Sequence, residues 1–185
     1  MEWMAAAASP VLAQRRYATT VVIEAPVGLG DDLGVRTGNV GLALRNRVQL
    51  GQRFALDPGV TVRWPSKSPH GASWALGTSV DLRVYAKSFG PLHLVGIAGA
   101  AVEGGKRVQA LDALAKTDTL AGFFEAELRG GGALEWTPTN QLALALEVMN
   151  TPVQGGRWWV EGEASARPKS RERWTAGLEL AWWWR

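Results

Sequence analysis

The sequence predicts an all-β chain: an eight-stranded antiparallel up-and-down transmembrane β-barrel over residues 15–185. Three observations predict it. An apolar/polar alternation of period two recurs along the chain, its connections are short and long by turns, and aromatic residues collect at both ends of the apolar faces. A length of 185 residues suits one domain. The 46% hydrophobic and 20% charged content argues against wholesale disorder. The absence of Cys excludes a disulfide framework and any thiolate metal or redox site. No apolar run reaches the roughly 18 residues of a membrane-spanning helix, so any crossing falls to strands. A net charge of +3 gives no reason to expect a nucleic-acid partner.

Residues 1–14, MEWMAAAASPVLAQ, form an Ala-rich apolar stretch closing on Val11-Leu12-Ala13 without a basic start. They are expected to be a signal-peptide remnant or a disordered N-terminal extension. Alternation begins after Arg16. Strand one, about Tyr17–Val27, puts Tyr17, Thr19, Val21 and Ile23 on one face and Glu24 on the other. Strand two, about Asn39–Leu50, sets Val40, Leu42, Leu44, Val48 and Leu50 against Arg45 and Arg47. In strand three, about Phe54–Trp64, Phe54, Leu56, Val60, Val62 and Trp64 oppose Asp57, Thr61 and Arg63. Strand four, about Trp74–Ala86, opposes Trp74, Leu76, Val80, Leu82 and Val84 to Ser79, Asp81 and Arg83.

Strand five, about Leu92–Val102, is blurred because Val95 and Ile97 break the alternation. Strand six, about Phe124–Trp136, opposes Phe124, Leu128, Leu134 and Trp136 to Glu125, Glu127, Arg129 and Glu135. Strand seven, Gln141–Met149, reads QLALALEVM, with four aliphatic residues on one face and Ala143, Ala145 and Glu147 on the other. Leucine and alanine favour helix, but the period of two overrules propensity. Strand eight, about Trp174–Trp184, sets Leu178, Leu180, Trp182 and Trp184 against Thr175, Gly177 and Glu179.

Tight turns are expected at Gly51–Arg53, Lys87–Gly90 and Thr137–Asn140, and longer polar loops at 28–38, 65–73, 104–121 and 154–173. Within the third long loop, Val108, Leu111 and Leu114 are spaced for a short helix. In the fourth, 158–166 extend strand seven or eight. Short turns on one rim and long loops on the other are the habit of outer-membrane barrels.

A soluble barrel would turn the apolar face inward. The polar face argues otherwise: tiny residues such as Gly41, Ala43, Ala55, Gly59, Ala143 and Ala181 sit between long charged ones, as a crowded lumen requires. The lumen charges are the acids Glu24, Asp57, Asp81, Glu125, Glu127, Glu135, Glu147 and Glu179 with the bases Arg45, Arg47, Arg63, Arg83 and Arg129. All the bases are Arg, the choice for buried, multiply bonded ion pairs. Threading the strands up and down gathers Trp64, Trp74, Phe124 and Trp174 at the long-loop rim. Tyr17, Phe54, Phe89, Trp136, Trp182 and Trp184 gather at the other. Two aromatic belts bordering an aliphatic band are what a bilayer selects.

Strand eight, Thr175-Ala176-Gly177-Leu178-Glu179-Leu180-Ala181-Trp182, resembles the assembly signal of bacterial outer-membrane barrels, with Thr175, Gly177, Leu180 and Trp182 at its polar, glycine, hydrophobic and aromatic positions. Trp183, Trp184 and Arg185 follow, whereas the family commonly ends on the aromatic. With its strand count, the chain resembles the small eight-stranded bacterial outer-membrane barrels related to OmpA and OmpX. The resemblance implies a monomeric, multi-pass outer-membrane barrel, in contact with outer-membrane lipid and lipopolysaccharide and inserted by the barrel-assembly machinery.

Some barrels of this type are lipid A deacylases or palmitoyl transferases. The deacylase His-x-Ser motif is absent here: Gly71-Ala72 follows His70 and Leu94-Val95 follows His93, and Ser73, three residues past His70, is the nearest candidate. Neither a metal cluster nor a nucleotide-binding motif appears, so no enzyme activity and no cofactor are expected. Outside the lumen bases outnumber acids, and Arg157, Arg167, Lys169, Arg171 and Arg173 share the fourth loop as candidate lipopolysaccharide contacts. The expected function is a structural or surface-binding barrel with a charge-filled lumen. The alternatives are a narrow ion or small-solute channel or, less favoured, a lipid-modifying enzyme.

Overall fold

The computed structural model describes residues 17–28, 34–35, 40–63, 67–68, 71–72, 74–112, 117–160 and 173–184. Eight long strands form one antiparallel sheet: β1 (Tyr17–Gly28), β2 (Gly41–Gln49), β3 (Phe54–Arg63), β4 (Trp74–Phe89), β5 (Leu92–Asp112), β6 (Thr117–Trp136), β7 (Leu142–Val160) and β8 (Arg173–Trp184). Each pairs with its sequence neighbours, and β8 returns to β1, with Tyr17 opposite Trp184 and Val27 opposite Trp174. The sheet is therefore a closed up-and-down barrel without a free edge in its wall. Two short pieces lie outside that count: Gly34–Val35 pairs with the end of β1, and Lys67–Ser68 pairs with Gly71–Ala72.

Alternation in the sequence becomes alternation in exposure, with the usual polarity reversed. Along β2 the burial runs strictly in and out from Gly41 to Arg47, with Arg45 and Arg47 inside and Leu42 and Leu44 outside. Leu76, Val80, Leu134, Leu146, Leu178 and Leu180 are likewise exposed. The exterior is thus a continuous aliphatic wall, and the charged residues occupy the interior. In water this arrangement would forgo the hydrophobic effect and bury ions, so it is stable only with hydrocarbon outside.

Three departures from the sequence reading have local causes. The helix expected around Val108, Leu111 and Leu114 is not formed over the described part of that stretch. Instead β5 runs 21 residues and β6 runs 20, their ladder continuing through Val108 opposite Leu120 to Asp112 opposite Thr117. Backbone pairing persists beyond the band where an inside and an outside exist, so nothing there imposes a period of two. Strand β7 likewise runs on without the loop expected from residue 154, past a bulge between Asn150 and Val153, to Val160, so that 158–160 extend strand seven as expected. The turn expected from Lys87 begins only at Gly90, whose φ of 63° is a glycine conformation. A bulge between Tyr85 and Lys87 precedes it and brings Ser88 opposite His93.

Candidate functional site: the lumen

Every strand contributes a charge to the interior. Arg47 is the hub: Nε donates to Asp57 Oδ1 at 3.0 Å, Nη1 to Glu135 Oε2 at 2.8 Å and Nη2 to Glu179 Oε1 at 2.5 Å. Arg83 donates from Nε to the other Asp57 oxygen at 2.6 Å and turns Nη2 toward Glu147 and Glu179. Arg45 bridges Glu24 at 2.7 Å and Glu147 at 3.0 Å. Arg63 links Glu24 at 3.5 Å to Glu103 at 3.1 Å. These pairs form one connected network running along the barrel. Arg129 makes a separate two-pronged pair with Asp81, at 2.8 and 2.5 Å. Glu125 is buried and accepts from Gln154 Nε2 at 2.6 Å, and Glu127 is half-buried on the same face.

The guanidinium fork explains why arginine serves here: one planar group presents donors in several directions, so Arg45, Arg47, Arg63 and Arg83 each answer two or more acids at once. Small residues make room for these long stems. A Cβ on Gly59 would lie 2.7 Å from Arg45 Cγ, and one on Gly41 would lie 3.3 Å from Arg63 Cγ. Gly177 stands between Glu24 and Glu147 in the ladders, where a Cβ would approach Val22 Cγ1 to 3.1 Å.

Among the described residues, several of the lumen escaped the sequence reading. Glu103, Tyr85 and Trp183 are all buried, Glu103 as the partner of Arg63. Parity was the available signal: Glu103 continues the face of His93, Val95 and Ile97, and Trp183 continues that of Glu179 and Ala181. Val95 and Ile97 blur β5 because they are lumen residues themselves, packed with Tyr85, Ala133, Ala145 and Met149. The interior is therefore charged over most of its wall and apolar beside β5.

Of the interface aromatics, Tyr17, Phe54, Trp74, Phe89, Phe124, Trp136, Trp182 and Trp184 are exposed on the outer face. Trp174 is half-buried, and Trp64 lies outside the described residues. From Phe124 to Trp136 the strand covers roughly 40 Å, or about 28 Å along the barrel axis at a 45° tilt, close to the band such barrels present to lipid. Lys87 stacks over Phe89, its Nζ 4.9 Å from the ring centroid. In the assembly-signal segment Leu180 and Trp182 face outward, Gly177 inward, and Thr175 is half-buried. The side chains of Arg157 and Arg173, and residues Arg167, Lys169 and Arg171 altogether, lie outside the described residues, as do His70, Ser73 and residues 1–14.

His93 is fully buried at the short-turn end. Its Nδ1 lies 2.8 Å from Ser88 Oγ and its Nε2 3.3 Å from Thr137 Oγ1. The Thr137 hydroxyl and backbone N–H both donate to the Pro91 carbonyl, so this group ties two short turns together. Among the described residues no group of three or more His, Asp or Glu is arranged to hold a metal.

No family model matches the chain, and no curated protein sequence does. Solved structures do. The N-terminal barrel domain of Pseudomonas aeruginosa OprF is 12% identical, with a TM-score of 0.56 over 92% of this chain and 100% of that one. Neisserial surface protein A is 8% identical, with a TM-score of 0.55 over 89% and 95%. Yersinia pestis Ail, in complex with the heparin analogue sucrose octasulfate, is 10% identical, with a TM-score of 0.53 over 92% and 100%. The chain has the fold of the small eight-stranded outer-membrane β-barrels.

Proposed function

We propose that this chain is a non-enzymatic protein of the bacterial outer membrane: a closed barrel that fills its own lumen and acts through its outer band and its loop rim. The observation that carries this reading is the reversed polarity of the wall, aliphatic outside and ion-paired inside. Its partners on this reading are outer-membrane lipid, lipopolysaccharide and, during insertion of the monomer, the barrel-assembly machinery. The sequence from Arg157 to Arg173, which joins β7 to β8, is basic through Arg157, Arg167, Lys169, Arg171 and Arg173, and phosphates or sulfates are the groups that arginine binds in two-pronged fashion. That Ail was solved with a sulfated sugar favours the same chemistry. Against an enzyme, Ser88 meets His93 at Nδ1, the nitrogen through which a carboxylate would orient a catalytic histidine, so the pair is the reverse of a serine nucleophile and its base.

The test is binding of lipopolysaccharide to the protein folded in phosphatidylcholine vesicles, with and without Ala at these five positions. The unsubstituted protein should bind with a marked salt dependence, and the variant should lose about tenfold or more in affinity. Equal binding by both would contradict the loop-rim reading. A second reading, a narrow cation path, draws on the surplus of acids: Glu24, Asp57, Asp81, Glu103, Glu125, Glu127, Glu135, Glu147 and Glu179 share the interior with Arg45, Arg47, Arg63, Arg83 and Arg129.

A further inference from the structure

We infer that Trp183 is the floor of the lumen, an indole laid across the short-turn mouth that keeps water off the Arg47 network. The inference rests on the closed-barrel reading above and adds to it a specific seal. Trp183 is inward-facing and 2% exposed, and the lumen residues packed around it are Ala18, Ala143 and Ala181. Three alanines beside the largest side chain leave one space that the indole fills. Its position along the axis is fixed by its backbone N–H, which donates to the Gln141 carbonyl at 2.7 Å, and by the ladder, which sets it opposite Ala18. Ala18 in turn stands opposite Arg47 on β2.

The indole thus lies against the hub of the network, the Arg47 guanidinium carbon 5.7 Å from its ring centroid. That contact is a cation–π interaction with a desolvated cation, the setting in which it is strongest. Across the mouth, Tyr85 and His93 meet edge to face, 6.0 Å apart at 85°, and both are buried. An aromatic layer therefore underlies the charged one. Ion pairs inside a barrel keep their strength only while water is excluded from them. The layer supplies that exclusion on the short-turn side, and Trp183 is its largest member.

The chain has no cysteine, so a single introduced thiol is a clean reporter. Ala145 faces the lumen between Glu135 and Glu179 in the ladders, at the level of the network. Ala145→Cys protein is folded into vesicles of fixed orientation, and a membrane-impermeant thiol reagent is offered to one rim at a time. Labelling should be slow from both rims. Adding Trp183→Ala should accelerate it about tenfold or more from the short-turn rim alone, since thiol reactivity follows access, and Trp183→Phe should restore slow labelling. If the Ala variant does not fold, Trp183→Leu makes the same comparison. Slow labelling in the folded double variant, or equal acceleration from both rims, overturns the seal while leaving the closed barrel standing. Fast labelling of the Ala145→Cys parent overturns both.

Discussion

Arg47 answers three acids at once, Asp57, Glu135 and Glu179, and neither it nor those partners reaches solvent. Removing it leaves their negative charge buried and answered by Arg83 alone among the lumen arginines. Arg47→Ala should therefore destabilise the folded barrel by about 3–5 kcal/mol, read from urea unfolding in detergent micelles. Arg47→Lys should recover only part of the loss, because an ammonium cannot reproduce the fork. Lys106, exposed on the outer face of β5, gives the contrast: Lys106→Ala should fall within about 0.5 kcal/mol of the parent. Equal effects at the two positions would refute the network as a source of stability. The sequence shows which face carries Arg47, because parity is a one-residue property. It does not show which acids Arg47 meets, because Glu179 lies 132 residues away and comes near only when β8 closes on β1.

Strands were legible where each face meets a different medium. Strand β7 alternates without a break from Leu142 to Val148, because every other side chain touches lipid and the rest touch the lumen. In β5 the lumen side is itself apolar at Val95 and Ile97, so a hydrophobicity pattern cannot tell the faces apart there. The upper parts of β5 and β6 lie past the aromatic positions, where both faces can be polar and only backbone pairing remains. That is why a spacing of three at Val108, Leu111 and Leu114 reads as helix in the sequence while the chain forms strand as far as Asp112. The outward face of a strand is tested by charging it. Leu146, half exposed beside Leu134 and Leu178, belongs to the lipid band. Leu146→Arg should cost about 2–4 kcal/mol of folding free energy in vesicles. A neutral or stabilising effect would place that face in water.

At the scale of the whole barrel, the number of strands governs what the interior can do. Eight strands enclose a space just wide enough for side chains to fill. This chain fills it with paired arginines and acids in the middle, Val95, Ile97 and Met149 on one side, and aromatic rings at the short-turn mouth. The closed topology and reversed polarity were legible from alternation and loop lengths together. The aromatic floor was not, because parity gives the face of Trp183 while its neighbours Ala18 and Arg47 lie on strands far away in the sequence. The central claim is that this interior is shut, and the most direct measurement is single-channel recording of the purified protein in planar bilayers. The account predicts a quiet baseline from the unsubstituted barrel, with conductance steps appearing in Arg45→Ala. A stable open conductance in the unsubstituted protein would contradict it and make the barrel a cation pore.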